Sequence, residues 1–305
     1  MREKRILITG GAGFIGSHLA EHLLLDKDAR LLVIDDLSEG KLSNLPKNNR
    51  LTVIQSSIMA DKIGKYFKNV DVVFHLAAFT RPRWSIDYPI ETNRLNVEGT
   101  LKVMKYCLSE SIGKLIYVSS ASVYGKQNKL LLKESMHLRP MSPYALTKKI
   151  GEEYCRLYSE LYGLKYDIVR PFNVYGKRQD LYGGYSAAVP NFIDMLGKGK
   201  RPYITGDGTQ KRDFVYVKDV VRLMALVSRR KESGETFNAG SGKSTSVNEL
   251  YGTISRLMKK SQRPEYINPV IDPETKADMS KAKRILNWAL EYSLEDGLKE
   301  TISLP

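Results

Sequence analysis

Tyr144 and Lys148 stand four residues apart at the head of a segment, 144–162, whose apolar residues recur at helical spacing. Both side chains therefore leave the same face of one helix. A free phenol has a pKa of about 10 and is a poor base at neutral pH. A neighbouring ammonium group favours the phenolate, as would a positively charged ring, and the two together bring a tyrosine towards the range where it can take a proton from a hydroxyl group. Upstream, the apolar strand Leu115-Ile116-Tyr117-Val118 runs into Ser119-Ser120-Ala121-Ser122. That places hydroxyls at the C-terminal end of a strand, where open α/β sheets bind their ligands, and Ser120 can bridge a substrate hydroxyl to Tyr144. Taken singly, each residue has an ordinary alternative: a tyrosine on a helix face, a solvated lysine, a serine closing a loop. Together they describe a site that moves a proton while a hydride moves beside it.

A hydride needs an acceptor, and the N-terminus offers a place for one. The strand Arg5-Ile6-Leu7-Ile8-Thr9 breaks into Gly10-Gly11-Ala12-Gly13-Phe14-Ile15-Gly16, and Ser17 to Leu25 reads as an amphipathic helix. Gly11 is expected to permit the tight turn, Gly13 to let backbone N–H groups approach a pyrophosphate, and Gly16 to let the helix pack on the strand. A second strand, Leu31 to Ile34, ends in Asp35 and Asp36, about 20 residues past the turn, where a carboxylate accepts hydrogen bonds from a ribose diol and repels a 2′-phosphate. NAD is thus favoured over NADP. Strands near 5–9, 31–35, 51–55, 71–76, 113–118 and 165–169 alternate with helical patterns, which implies an α/β fold, a Rossmann-type doubly wound parallel sheet. Beyond Arg170 the pattern loosens, with loops at Tyr182-Gly183-Gly184-Tyr185, Gly197-Lys198-Gly199 and Gly206-Asp207-Gly208. Residues 1–173, with 214–240 returning to them, are expected to form the NAD-binding domain, and 174–213 with 241–305 a smaller, interleaved C-terminal substrate-binding region, including a helix over 247–260.

Several motifs carry a family resemblance: Gly10-x-x-Gly13-x-x-Gly16, Asp35, His75-Leu76-Ala77-Ala78, Asn96-Val97-Glu98-Gly99-Thr100, Ser119-Ser120-Ala121-Ser122-Val123-Tyr124-Gly125, Tyr144-x-x-x-Lys148, Arg170-Pro171-Phe172-Asn173, the run from Gly206 to Val215, Phe237-Asn238-Ala239-Gly240 and Ala277-Asp278. Over nearly its whole length the chain resembles the extended short-chain dehydrogenase/reductases acting on nucleotide sugars, and within them the UDP-hexose 4-epimerases. The resemblance implies that Tyr144 is the acid/base, Ser120 its hydroxyl partner, and Lys148 the group that binds the nicotinamide ribose. It further implies NAD contacts from Gly10, Gly13, Phe14, Ile15, Gly16, Asp35, Asp36, Ser57, Ile58, Leu76, Ala77, Ala78, Asn96, Ser119 and Pro171, together with Tyr144 and Lys148. Ser120, Ser122, Tyr144, Asn173, Arg212 and Thr275 would face a UDP-sugar. Thr275 stands where a tyrosine would confine relatives to plain hexoses, and the loop Arg81-Pro82-Arg83-Trp84-Ser85-Ile86 resembles that of epimerases accepting N-acetylated sugars. The resemblance also implies a homodimer packed through the segments Thr92 to Leu108 and Pro143 to Tyr162. Two positions depart from the pattern. Ser57-Ile58 replaces an Asp-Ile pair at the adenine, and Asn268-Pro269-Val270-Ile271-Asp272 lacks the arginine that clamps the diphosphate, a job open to Arg263, Arg201 or Lys276.

Composition agrees. The chain has 305 residues, 42% hydrophobic, enough for a large core. No apolar run approaches the ~18 residues of a membrane span, no signal peptide precedes the first strand, and a soluble cytoplasmic protein is expected. Cys107 and Cys155 imply no disulfide framework, and His18, His22, His75 and His137 show no metal-ligand spacing. The 48 basic and 34 acidic residues leave a net charge of +14. The basic residues are scattered over helix faces rather than gathered with aromatics on one element, so no dedicated nucleic-acid partner is expected, although such a field would steer a nucleotide diphosphate to its cleft.

Overall fold

Strands that are buried on both faces belong in the middle of a parallel sheet, and the burial of the apolar strands follows that rule. In the computed structural model, which describes residues 3–180, 187–267 and 274–302, seven parallel strands form the central sheet: β1 (Lys4–Thr9), β2 (Ala29–Asp35), β3 (Leu51–Gln55), β4 (Val72–His75), β5 (Lys114–Val118), β6 (Tyr166–Pro171) and β7 (Thr236–Ala239). Their order is β7-β6-β5-β4-β1-β2-β3. The chain runs outward from β1 in one direction through β2 and β3, then returns past β1 to β4 and onward. The switch of direction opens a crevice between β1 and β4, where this class of sheet takes its ligand.

Alternation along β1 assigns its two faces. Ile6 and Ile8 join a core that includes Leu19 and Leu23 of α1 (Phe14–Leu23) and Val220, Leu223 and Met224 of a later helix, Val217–Arg229. Leu7 points the other way, into a core with Val103, Met104 and Cys107 of α2 (Gly99–Ser109) and Cys155 of α3 (Pro143–Tyr162). α1 begins at Phe14, directly out of the glycine turn and three residues earlier than its periodicity suggested. The helical pattern expected over 92–108 is present as one continuous run from Pro89–Asn93 into α2, wound as a π-helix over Arg94–Glu98. α3 is the longest helix among the described residues. Ser142 caps it through the Ala145 amide at 3.1 Å, Pro143 opens it, and Gly163 at φ 72° closes it.

Beyond β6 the chain builds small two-stranded pairings. Asn173–Tyr175 pairs with Phe214–Tyr216, Lys211–Arg212 with Thr245–Ser246, Tyr203–Thr205 with Glu265–Ile267, and Leu131–Leu132 with Lys276–Ala277. The helix Ala188–Gly197 packs on Val247–Met258, which ends two residues short of the expected 260. The expected loop Tyr182 to Tyr185 lies outside the described residues. β7 re-enters the main sheet beside β6 after this excursion.

Candidate active site

Gly10 carries φ 71°, and a Cβ there would come within 2.7 Å of the Ala77 amide nitrogen, so the turn requires glycine at this position. Gly11, expected to make the turn, instead lies against Val33, whose methyl carbons would be 2.7 Å from an added Cβ. A Cβ on Gly16 would run into the Gly10 carbonyl, whereas one on Gly13 would meet only that same oxygen at 3.4 Å. The turn is therefore closed on the helix-packing side and open at Gly13. Gly13 is also the extended N-cap of α1 with no side chain capping it, which leaves the first helical amides, beside half-buried Phe14 and Ile15, available to an anion.

At the end of β2, buried Asp35 accepts the Ala12 amide at 2.9 Å and the Leu37 amide at 2.8 Å. Burial raises its pKa, and the backbone N–H groups oppose that rise. Exposed Asp36 closes its own turn by accepting from Ser38. After β3, Ser57 accepts the Met59 amide, and buried Ile58 lies where a Cβ on Gly99 would be. After β4, the Leu76 and Ala77 amides both donate to the Thr9 carbonyl, with Ala78 half-buried beyond them. His75 hydrogen-bonds Thr9 Oγ1 at 2.7 Å and Thr100 Oγ1 at 2.9 Å, and burial holds it neutral, its pKa down to about 3. It ties β1, β4 and α2 together. Asn96, on the π-helix, is buried with its amide engaged by the protein: Oδ1 accepts the Phe79 amide at 2.7 Å, and Nδ2 donates to the Phe79 carbonyl and to Thr147. Its side chain shapes the loop after β4.

The proton-handling residues converge between β5 and α3. Ser120 lies near enough to the Tyr144 phenol to favour its ionised form, and Ser120 Oγ accepts the Ser122 amide at 3.2 Å and the Ser122 hydroxyl at 3.0 Å. Ser85, from the loop after β4, accepts the Tyr144 amide at 3.0 Å. Lys148 Nζ donates to the Val118 carbonyl at 2.8 Å and lies 5.3 Å from the Tyr117 ring centre. Burial pushes the Tyr144 phenol up to about 12, opposed by Ser120, and brings Lys148 down to about 8, opposed by Glu152. The sequence spacing led us to expect Lys148 to lower the Tyr144 pKa, but desolvation dominates in the protein by itself. A low-pKa phenol here needs a further positive charge in the pocket.

Ser119 is buried, its hydroxyl donating to Glu152 at 2.6 Å. Glu152, fully buried one turn after Lys148, also accepts Arg170 through both of its oxygens at 2.8 and 2.6 Å. Burial would raise the Glu152 pKa, but Arg170, Ser119 and Arg156 outweigh it and hold the carboxyl below its usual value. Arg170 continues to the Tyr124 hydroxyl at 3.0 Å, and Tyr124 to Asn238 at 2.6 Å. Pro171 ends β6 beside this chain of contacts. Sequence reading missed Glu152 and Ser85: a glutamate on a long helix and a serine in a loop look solvated until tertiary contacts enclose them.

On the substrate side, Asn173 donates from both backbone and side chain to the Asp213 carbonyl. Asp213 is fully buried and accepts from Ser241, Gly242 and Ala277, thereby gathering three segments. Arg212 lies next to it, half-buried, one of its Nη groups on the Lys211 carbonyl at 2.9 Å. Thr275 Oγ1 is buried without a hydrogen-bond partner. The stretch 268–272 lies outside the described residues. Of the candidate substitutes for its arginine, Arg201 donates to the Arg263 carbonyl at 3.1 Å, and Lys276 pairs with Leu131.

The uncapped helix start, the open side of Gly13, and Asp35 held at the end of β2 form a cradle that fits a dinucleotide pyrophosphate and ribose. Comparison with known proteins agrees. Residues 6–240 match the model of the NAD dependent epimerase/dehydratase family. A protein of Methanocaldococcus jannaschii named putative UDP-glucose 4-epimerase is 39% identical, over 98% of this chain and 97% of that protein. The UDP-N-acetylglucosamine 4-epimerase of Methanobrevibacter ruminantium M1, solved with UDP-N-acetylmuramic acid, superposes with a TM-score of 0.94 at 37% identity over 99% of this chain and 98% of the other. The Thermotoga maritima UDP-glucose 4-epimerase, solved with UDP-glucose, does so with a TM-score of 0.92 at 35% identity, covering 98% and 97%. With its glycine turn, Tyr144–Lys148 pair and seven-stranded sheet, the chain belongs to the NAD-dependent epimerase/dehydratase family, in the UDP-sugar 4-epimerase group of extended short-chain dehydrogenase/reductases.

Proposed function

We propose that this protein interconverts the C4 epimers of a UDP-hexose through a transient 4-keto sugar. The observation that carries this reading is the placing of Ser120, itself hydrogen-bonded by Ser122, where it acts on the Tyr144 phenol at the end of β5. It supplies one proton-transfer group and its bridge. The next positions are Ala121 and Ser122, where dehydration or decarboxylation would need a further acid or base. Bound NAD supplies a reversible hydride acceptor and a positive charge next to Tyr144. In that setting Tyr144 takes the proton of the sugar 4-hydroxyl and later returns one, Ser120 bridges the two oxygens, and Lys148 holds the nicotinamide ribose. Gly10, Gly13 and Gly16 with Asp35 carry the rest of the dinucleotide, and Asn173 and Arg212 meet the substrate diphosphate end, the guanidinium suiting a phosphate.

For the sugar, Thr275 supports acceptance of both UDP-glucose/galactose and the N-acetylated pair, since threonine leaves room a phenol ring would fill. The name of the Methanobrevibacter relative points the same way. Pure protein incubated with UDP-, GDP- and dTDP-sugars should interconvert the C4 epimers of UDP-hexoses. A pentose product or a 4-keto-6-deoxy sugar would instead make it a decarboxylase or dehydratase. Thr275→Tyr should slow the N-acetylated pair selectively through overpacking, and equal slowing of both pairs would remove Thr275 from the sugar pocket.

A further inference from the structure

In the sheet, β1 lies between β2 and β4. A contact between the loop after β2 and the loop after β4 must therefore cross over the glycine turn that follows β1. Glu39 and Arg81 make that contact, with Arg81 Nε 3.0 Å from Glu39 Oε1, while Thr80 donates to Glu39 Oε2 at 3.4 Å. Both loops are anchored. Gly40 sits so close to Ala12 that an added Cβ would be 2.8 Å from its carbonyl carbon, and the Lys41 amide and Asn44 side chain donate to that carbonyl at 3.1 and 2.9 Å. On the other side, the Asn96 amide grips Phe79, two residues before Arg81, and the Arg81 guanidinium lies 4.7 Å from the Trp84 ring centre. A third group arrives from outside the sheet: Asp180, a few residues past the strand Asn173–Tyr175, places Oδ2 3.6 Å from Arg81 Nη2. The Arg81 side chain is 22% exposed and that of Glu39 36%.

We propose that Glu39, Arg81 and Asp180 form a clasp across the pyrophosphate side of the dinucleotide cleft, and that opening this clasp sets the rate at which NAD leaves. The inference rests on the reading that NAD lies on the glycine turn. A dinucleotide held at the N-terminus of α1 lies beneath the ion pair, so the two loops must part before it can depart. The pair is partly shielded from solvent, and salt screens it less than a fully exposed pair. An epimerase that regenerates NAD in each cycle has no need to exchange it, and a clasp suits that economy.

The test loads the protein with NAD, removes free cofactor, and follows release by trapping NAD with alcohol dehydrogenase and ethanol, read as NADH fluorescence. Arg81→Ala and Glu39→Gln should each speed release about fivefold or more, and the double variant no further than Arg81→Ala, because Arg81 takes part in both ion pairs of the clasp. The full charge reversal, Glu39→Arg with Arg81→Glu and Asp180→Arg, should restore slow release; fast release in the reversed protein would overturn the clasp, because it would mean that Arg81 holds the pyrophosphate directly. Unchanged release in single variants that melt like wild type would also overturn it while leaving the NAD site intact. Wild type that binds no NAD would overturn both the clasp and the cofactor assignment.

Discussion

At the scale of single residues, the site is defined by what burial does to two groups. Tyr144 is pushed up to about 12 and Lys148 brought down to about 8, so desolvation holds the phenol neutral and brings the ammonium pKa close to, but not below, neutral pH. A phenol in that condition gives up a proton only with positive charge nearby. Tyr144→Phe keeps the ring and deletes the proton-transfer group. Turnover should drop by about 10²-fold or more while NAD remains bound, with Ser120→Ala less severe; near-normal turnover in Tyr144→Phe would end the proposed mechanism. Lys148 also predicts a pH dependence. Between about 8, its folded value, and the ordinary 10.5, the unfolded chain binds the proton that the folded chain has released. The stability linked to this group is therefore lowest below that window and rises with pH through it. Compared with Lys148→Met, the wild type should gain melting temperature across the window, and a constant gap between the two melting curves would show that Lys148 is not held at a lowered pKa.

At the scale of elements, α3 is the part that assembles the chemistry, and two cross-links fix it against β5. One is Lys148 Nζ on the Val118 carbonyl, the other Ser119 on Glu152. Glu152 can stay ionised in the core because Arg170 from β6 meets it with two donors. A buried pair of this kind adds little net stability when intact but is costly to break. Arg170→Met leaves a buried carboxylate without its fork, and should lower unfolding free energy by about 3–5 kcal/mol in denaturant titrations. Adding Glu152→Leu to that variant should recover a large part of the loss; a double variant no more stable than Arg170→Met would mean that Arg170 acts through packing on Tyr124 instead.

At the scale of the whole molecule, one face of the sheet layer carries apolar side chains that the chain itself does not cover. Leu146, Leu157, Leu161 and Tyr162 on α3 are 47%, 43%, 59% and 61% exposed, and Ile90 on the adjoining short helix 78%. We propose that a second copy packs its corresponding helices there in an isologous contact. Light scattering at micromolar concentration should give a dimer, and Leu157→Glu with Leu161→Glu should give a folded monomer; wild type found only as monomer would reject the contact. Among the described residues no helix is long and apolar enough to cross a membrane.

The sequence by itself determined what local pattern can encode. The alternating strands of the sheet follow from apolar runs and their spacing, and the turn at Gly10–Gly16 and the Tyr144–Lys148 pair are visible because glycine freedom and the helical repeat act over a few residues. Tertiary structure decided the rest. It moved the strained position from Gly11 to Gly10, because Ala77, arriving from β4, crowds that point. It turned Ser119 and Asn96 inward onto Glu152 and Phe79, and it raised rather than lowered the Tyr144 phenol. The meeting of Glu39 with Arg81 depends on β1 lying between β2 and β4. These outcomes come from groups far apart in the chain, whose proximity and desolvation exist only once the sheet has formed.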